Sequence, residues 1–589
     1  MKRRRARISI ALTSLVALGV ISGCGESIRR FPLRAPLWVD EDQKPHAAAC
    51  RPDPTPEDPK HQKCVPEEYV SSFAWDAADN LVFRPISRFW AVDPGGEAVN
   101  VNSLDEVPDS SWFENRIGRK PMSLDALAKG SCGKMLDPKT AKDGEWVIDK
   151  GKSNGANPGF RVKVEGVGKF MLKSDPPEQP ERATGATSIA TRIYYAAGWW
   201  APCDTIVYFD PKVLKLKPGL TVTDNTGKTT PFDEAALKKV LEGASHRGEL
   251  VRMVASSWLP GEPLGPFKYD GTRDDDPNDV IPHEDRRDLR GARVIAAWTN
   301  HFDSREQNTM TTWMRANDKD DTSPGYVRHW YIDIGDVFGS EWDWEGISKR
   351  LGYAYYLDFD YLAADFATLG IIERPWDRAE RNPDAKIFGF FSAKDFEPHA
   401  WKGGYPNPAF ARMTERDGAW AARILARFTT AHIKRAVEVG DYTDPKHVEF
   451  LTRALELRHG AILRRYLSKL SPVTDLEVKG DTLCGVDLAR WTGVFGTDAF
   501  RYGATIRSGP ELDTRTAASV TPSASPADAS VCVSLTHVAS DGGVPDADAS
   551  RYVVVELSNG QAPGLLRAHL YDLGPKKGFT LVGIERPEP

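Results

Sequence analysis

The chain has no Cys-x-x-Cys pair and no cluster of His with Cys, which removes the usual donor pattern of a zinc site. It has no apolar run fit to span a bilayer. The longest N-terminal run, Ile8 to Val20, falls short of the ~20 residues that a spanning helix needs. An excess of positive charge is also missing. The 77 Lys and Arg are outnumbered by 83 Asp and Glu, giving a net charge of -6, so no polyanion-binding footprint is present and nucleic acid is not expected as a partner. No internal repeat is visible.

What is present is the composition of a folded globular protein, 41% hydrophobic and 27% charged over 589 residues. That length implies roughly three or four domains. The 17 Trp residues allow large buried aromatic contacts or binding platforms.

The N-terminus indicates the compartment. Met1-Lys-Arg-Arg-Arg-Ala-Arg7 is a basic leader, Ile8 to Val20 an apolar core, and Ile21-Ser-Gly-Cys24 follows. This tetrapeptide resembles the lipobox of bacterial lipoproteins. The resemblance implies cleavage after residue 23, a lipid on Cys24 and an exported chain held to the cell membrane or outer membrane. The remaining six cysteines, Cys50, Cys64, Cys132, Cys203, Cys484 and Cys532, are an even set in an oxidising compartment. Six cysteines allow 15 pairings. Order and spacing suggest Cys50–Cys64, Cys132–Cys203 and Cys484–Cys532.

Residues 24–70 are rich in Pro and charge and read as a tether with a small stapled loop. Asp109-Ser-Ser-Trp-Phe113 has the polar groups of a helix start. From residue 145 the pattern sharpens. Trp146-Val-Ile148, Phe160 to Val164 and Lys169 to Lys173 read as strands, with the Gly-rich loop Lys150 to Gly159 between the first two. A helix is expected from Glu181 to Ala197, stopped by Gly198, followed by strands Ile206–Phe209 and Arg252–Leu259. Pro260 to Pro266 breaks regular structure and marks a hinge. The Asp-rich stretch 270–287 reads as a solvated loop. Helices are expected at Leu289–Trp298, Thr414–Phe428, Ala431–Val439 and Pro445–Leu470. Thr514 to Ala529, rich in Ala, Ser, Thr and Pro, reads as a flexible linker or long loop, followed by strand-like runs 530–535 and 551–557.

The chemistry concentrates between Trp298 and Gly335. Trp298-Thr-Asn-His-Phe-Asp-Ser-Arg-Glu-Gln-Asn308 contains His-x-Asp-x-x-x-x-Asn, and Trp330-Tyr-Ile-Asp-Ile-Gly335 is an apolar run ending in Asp333. An Asp to orient a hydroxyl, with an Asn and a second Asp to hold a metal, is the set that phosphoryl transfer needs, because its catalysis is mostly positioning and charge neutralisation. Runs of adjacent acids at Asp274 to Asp276 and at Glu284-Asp285 lack the separation that a two-carboxylate hydrolase requires.

With Lys173 upstream, this order resembles the atypical branch of the protein-kinase-like superfamily, which includes spore-coat, HipA-type and phosphoinositide kinases. The resemblance covers about residues 145 to 470. It implies an α+β, two-lobed fold, with a β-rich N-lobe and its N-terminal extension at 71–265 and a mostly helical C-lobe at 266–470; the strand-like runs beyond it add a small C-terminal β module at 471–589. By the same resemblance Lys173 contacts the nucleotide phosphates, Glu181 pairs with that lysine, and Gly155 and Gly159 let backbone approach the phosphates. Asp303 orients the acceptor hydroxyl, Arg305 steadies the γ-phosphate, and Asn308 and Asp333 hold Mg²⁺. ATP is the expected nucleotide, and an envelope protein, sugar or lipid the expected acceptor. A catalytically inactive envelope scaffold of the same fold is the alternative. Phe302 stands where protein kinases usually have Arg, and Asp-Ile-Gly stands in place of Asp-Phe-Gly.

Overall fold

The computed structural model describes residues 28–33, 37–55, 58–91, 96–152, 157–223, 228–341, 344–542 and 544–589. The fold is mixed α+β with several sheets. Among the described residues no helix is long and apolar enough to cross a membrane.

Two short helices come first, α1 (Phe73–Ala78) and α2 (Arg84–Trp90), joined through a π-helical turn at Asp79–Phe83. Ser72 caps α1 by accepting from the Trp75 amide. The main sheet has seven strands, of which five are long, β1 (Trp146–Gly151), β2 (Gly159–Val164), β3 (Gly168–Lys173), β4 (Asp204–Phe209) and β5 (Leu250–Ser257); the short Leu214–Leu216 and His246–Arg247 pair with β1 and β5. The five long strands pair antiparallel in the order β1-β2-β3-β5-β4. Ile148, Phe160, Val162, Leu172 and Met253 fill the core on one face. Helix α3 (Arg182–Ala197) is the connection from β3 to β4 and packs on β4 and β5. The buried carboxylate of Asp175 accepts from the amide and hydroxyl of Thr184, satisfying first-turn donors. Gly198 ends the helix at φ 128°, and a Cβ there would meet the Phe113 ring.

A second layer is helical. Helix α4 (Arg287–Thr299) packs against α6 (Glu415–Leu425) and α8 (Pro445–Tyr466), while α7 (Thr430–Glu438) leans on α3. Ile189, Ile193, Ile295, Trp298, Trp420 and Leu455 share its core. The hairpin β6 (Thr309–Arg315) and β7 (Gly325–Tyr331) leads out of the 303–308 loop and into Asp333. The segment after Gly335 is irregular for some eighty residues, with helix α5 (Phe359–Thr368) its longest element, so it is less helical than the sequence implied.

The C-terminal part is larger than the two strands expected. Two antiparallel sheets of four and five strands between Val473 and Glu585 enclose one apolar core that includes Val473, Leu483, Val531, Val555 and Leu570. Residues 514–529 are not a linker. Thr514–Ala518 pairs with Gly503–Ser508, and Val520–Pro522 pairs with Ser530–Ser534. These are exposed edge strands whose faces carry no apolar alternation, so their pattern resembles a loop.

Three further expectations change. The described parts of 24–70 do not float as a tether. Phe31 is buried on the C-terminal sheet, donating its amide to the Tyr552 hydroxyl at 2.9 Å, and Asp42 is buried beneath Ser111. Asp109–Phe113 is a turn, because the Ser110 hydroxyl accepts from the Trp112 and Phe113 amides and so competes with a helix. The 270–287 loop is only partly solvated, since Asp274, Asp275 and Val280 are exposed while other members turn inward. Asp276, Asp279 and His283 are buried, with His283 2.8 Å from Asp279 and His46 3.1 Å from Asp276.

The three disulfides join Cys50–Cys64, Cys132–Cys203 and Cys484–Cys532. Cys50 and Cys64 face each other across one strand pair, and Cys484 and Cys532 across another. Three such bonds suggest an exported protein. Cys24 lies outside the described residues.

Candidate functional site

β3 delivers Lys173 to the edge between the sheet and the helical layer. Its partner strands are close on both sides, opposite Gly159 and Val254. Gly159 has no room for a side chain, since a Cβ would stand 2.2 Å from the Leu172 carbonyl oxygen. This glycine therefore serves strand packing beside the lysine, and a phosphate is not needed to explain it.

Lys173 Nζ donates to Asp333 Oδ1 at 2.6 Å, across 160 residues of sequence. Burial works against the ammonium, but the Asp333 carboxylate outweighs it and the lysine pKa ends above its ordinary value. Lys173 in turn holds the Asp333 carboxyl well below the usual carboxylate range. Asp333 has φ 51°, a left-handed conformation that Asp tolerates better than most residues. The next two residues are fixed by α3. Gly335 lies so close that a Cβ would meet Thr187 Oγ1 at 2.6 Å, and Arg182 donates to the Gly335 carbonyl at 2.7 Å. Ile334 is fully buried.

Asp303 and Asn308 form the opposite wall. Asn308 Nδ2 donates to both the carbonyl oxygen and Oδ2 of Asp303, each at 2.7 Å, so Oδ1 of the amide is the atom left for a ligand. The Ile332 amide donates to the Asn308 carbonyl at 3.0 Å, which ties this loop to the approach of Asp333. Asp303 is buried, and its Oδ1 has no hydrogen-bond partner although Arg305 Nε stands 3.0 Å away. Burial pushes the Asp303 carboxyl up to about 7, opposed by Arg305 and reinforced by the Asp336 and Asp333 carboxylates. Arg305 points its terminal nitrogen to Asp76 of α1 at 2.6 Å and lies over the Tyr405 ring. His301 sits below, with Nδ1 2.9 Å from the Tyr194 hydroxyl, and burial depresses its pKa to about 3, so it is a neutral structural group.

Glu181 does not reach Lys173. It precedes α3 in a left-handed conformation, φ 65°, and its carboxylate accepts from the amide and hydroxyl of Thr443. Asp333 takes the place expected for it. Gly155 lies outside the described residues. The structure therefore brings together Lys173, Asp303, Arg305, Asn308 and Asp333, and leaves Glu181 outside the set.

Three members were not singled out in the sequence. Lys152, from the loop after β1, donates to the Asn157 carbonyl at 2.8 Å, and burial depresses it to about 8 while Asp333 opposes the shift. Asp204 at the start of β4 is buried and raised to about 6 by burial, and it acts on Lys173. Asp336 accepts from the Ser340 hydroxyl at 2.8 Å and acts on Lys173, Lys152 and Asp303. Lys152 was visible as the cation of the Gly-rich loop. Asp204 and Asp336 carry no motif of their own.

Among the described residues no three His, Cys, Asp or Glu side chains converge as a self-sufficient metal cluster. The oxygen donors of Asn308 and Asp333 suit Mg²⁺, which keeps several waters and needs few protein ligands when phosphate oxygens complete the shell. A cavity of about 540 Å³ lined by Asn300, Tyr353, Arg374, Trp401 and Arg458 contains none of these residues. Compared with known protein families, curated proteins and solved structures, the chain finds no match.

Proposed function

We propose that this chain is a membrane-anchored, kinase-like phosphotransferase that uses a magnesium-bound nucleotide, ATP by resemblance, to modify an envelope protein, sugar or lipid. The observation that carries the reading is the contact of Lys173 with Asp333 beside the locked Asp303–Asn308 loop. A two-lobed, protein-kinase-like fold is supported by the order of parts. A seven-stranded, mostly antiparallel sheet has a helix between the third and fourth of its strands in chain order. Helix α4, an Asp-x-x-x-x-Asn loop, a hairpin and Asp-x-Gly then follow in sequence, and the other helices of the helical layer come after them.

In this reading Lys173 and Lys152 face phosphate charge. Asn308 Oδ1 and the Asp333 carboxylate hold Mg²⁺. When bound, the metal-nucleotide supplies the phosphoryl group and neutralises its charge. Asp303 orients the acceptor hydroxyl and takes its proton, a role suited to a carboxyl raised to about 7. Asp204 takes over part of the charge balance that a helix-borne glutamate was expected to give Lys173. Lipid on Cys24 anchors the chain at the envelope.

The test is a thermal-shift titration with Mg²⁺-ATP, paired with transfer of labelled phosphate. Wild type is stabilised, and Asp333→Ala loses the stabilisation and lowers transfer at least a hundredfold. No shift in wild type with any divalent ion overturns nucleotide binding.

One observation favours the inactive-scaffold reading. Arg305 is held by Asp76 and Asp303, and Lys173 by Asp333, so both of these cations already have an internal carboxylate partner. That reading expects membrane association and partner binding unchanged in Asp303→Ala, with no transfer by wild type.

A further inference from the structure

We infer that the outward face of α1, α2 and α5 is a bilayer-docking surface that seats the catalytic loop at the membrane. The inference rests on Cys24 carrying the lipid, as proposed above.

The helix pair α1–α2 turns its polar residues inward. Asp76 is buried against Arg305, and Arg84 pairs with Asp79 and, at 3.0 Å, with Glu306. Its apolar residues point out instead. Trp75 is 57% exposed, Phe83 52% and Trp90 77%. The π-helical turn inserts about one extra residue, which keeps Trp75 and Trp90 roughly in phase about four turns apart. Ring contacts make the face continuous. Trp75 lies 5.7 Å from Phe83, and Phe89 of α2 lies 6.0 Å from Phe359 of α5. Helix α5 buries none of its residues, and Phe366, Leu369 and Ile371 at its end are each more than 80% exposed. A soluble monomer rarely leaves so many large apolar side chains together in water. Helices with an aromatic-rich apolar face and a polar face lie flat in the headgroup region.

The occupant follows from the anchor. Phe31 is fixed on the C-terminal sheet, and only six residues lie between it and Cys24. Fully extended, that span reaches ~25 Å. A lipid at Cys24 therefore keeps the body against the bilayer, and some face of it meets the headgroups. The apolar face of α1, α2 and α5 is the one suited to do so. Through Asp76–Arg305 and Arg84–Glu306 it is bolted to the 303–308 loop, so acceptors borne by the membrane reach Asp303 without leaving the surface.

The test uses the mature full-length chain with Cys24→Ser, which removes the lipid, and vesicles of equimolar phosphatidylethanolamine and phosphatidylglycerol. The chain is expected to sediment with vesicles. The double variant Trp90→Glu/Phe366→Glu, at exposed positions, should cut the bound fraction at least tenfold. Val280→Glu, an exposed apolar residue elsewhere, should leave it unchanged. Equal sedimentation of the double variant and wild type overturns the inference. So does a dimer in vesicle-free solution that the double variant abolishes, since the face then belongs to a second copy. Mass measurement of the N-terminus from native membranes reports separately on Cys24. An unlipidated terminus overturns the anchor and leaves the vesicle result to decide the face.

Discussion

Single residues carry the chemistry through burial and neighbouring charge. Asp303 shows the sign most clearly. Its carboxyl is raised to about 7 in the fold by burial, against about 3.9 in an unfolded chain. The folded chain thus holds this proton more tightly. The stability it contributes is complete below about pH 4 and is lost as pH rises through about 7. Asp303→Asn should therefore melt above wild type at pH 8, with the gap closing on acidification to pH 4, as differential scanning fluorimetry across pH would record. The same variant should lower kcat by ~10²–10⁴, the usual worth of a positioned base, and wild-type kcat/KM should fall on the acid side with a midpoint near 7. Gly159 makes the complementary point. Its lack of a side chain is explained by the Leu172 carbonyl 2.2 Å from where a Cβ would be, so a glycine in a kinase-like loop need not be read as a phosphate contact.

At the scale of elements, α1 is the piece that ties the N-terminal extension to the 303–308 loop. Asp76 accepts from Arg305 and from the Asn80 amide while itself buried. Asp76→Ala should cost about 1–3 kcal/mol and expose residues 73–90 to proteolysis before the rest of the chain opens, which limited digestion followed by mass spectrometry would show. The main strands, α3, α4 and the three terminal helices of the second layer were legible in the sequence, because each has a periodic apolar face and a capping or stopping residue. The extension was not. Phe31, Asp42 and Val65 are buried as isolated residues spaced far apart in a Pro-rich stretch, which no periodicity reveals. Strands 514–518 and 520–522 were missed because both lie at sheet edges and bury neither face. At the site, Lys173, Asp303, Asn308 and Asp333 were readable from spacing. The partner of Lys173 was not, because left-handed Glu181 turns towards Thr443, and φ is not written in residue spacing.

For the whole molecule, one carboxylate joins parts that are hundreds of residues apart. Asp105 accepts from Arg287 of α4 at 2.6 Å, from Arg423 of α6 and from Arg586 near the C-terminus. Burial opposes its charge, but these guanidinium groups together hold its carboxyl well below the ordinary range. Asp105→Ala would leave several nearly buried cations short of a partner and should cost about 3–5 kcal/mol in urea unfolding. The other long-range seam has a mechanical meaning. Phe31 rests so closely on Gly583 that a Cβ there would strike its ring, and its backbone is clasped by Tyr552 and Tyr571. Traction at Ile28 thus enters through the last β-ribbon, so a pull from the N-terminal side strains the C-terminal sandwich first and spares the surroundings of Lys173.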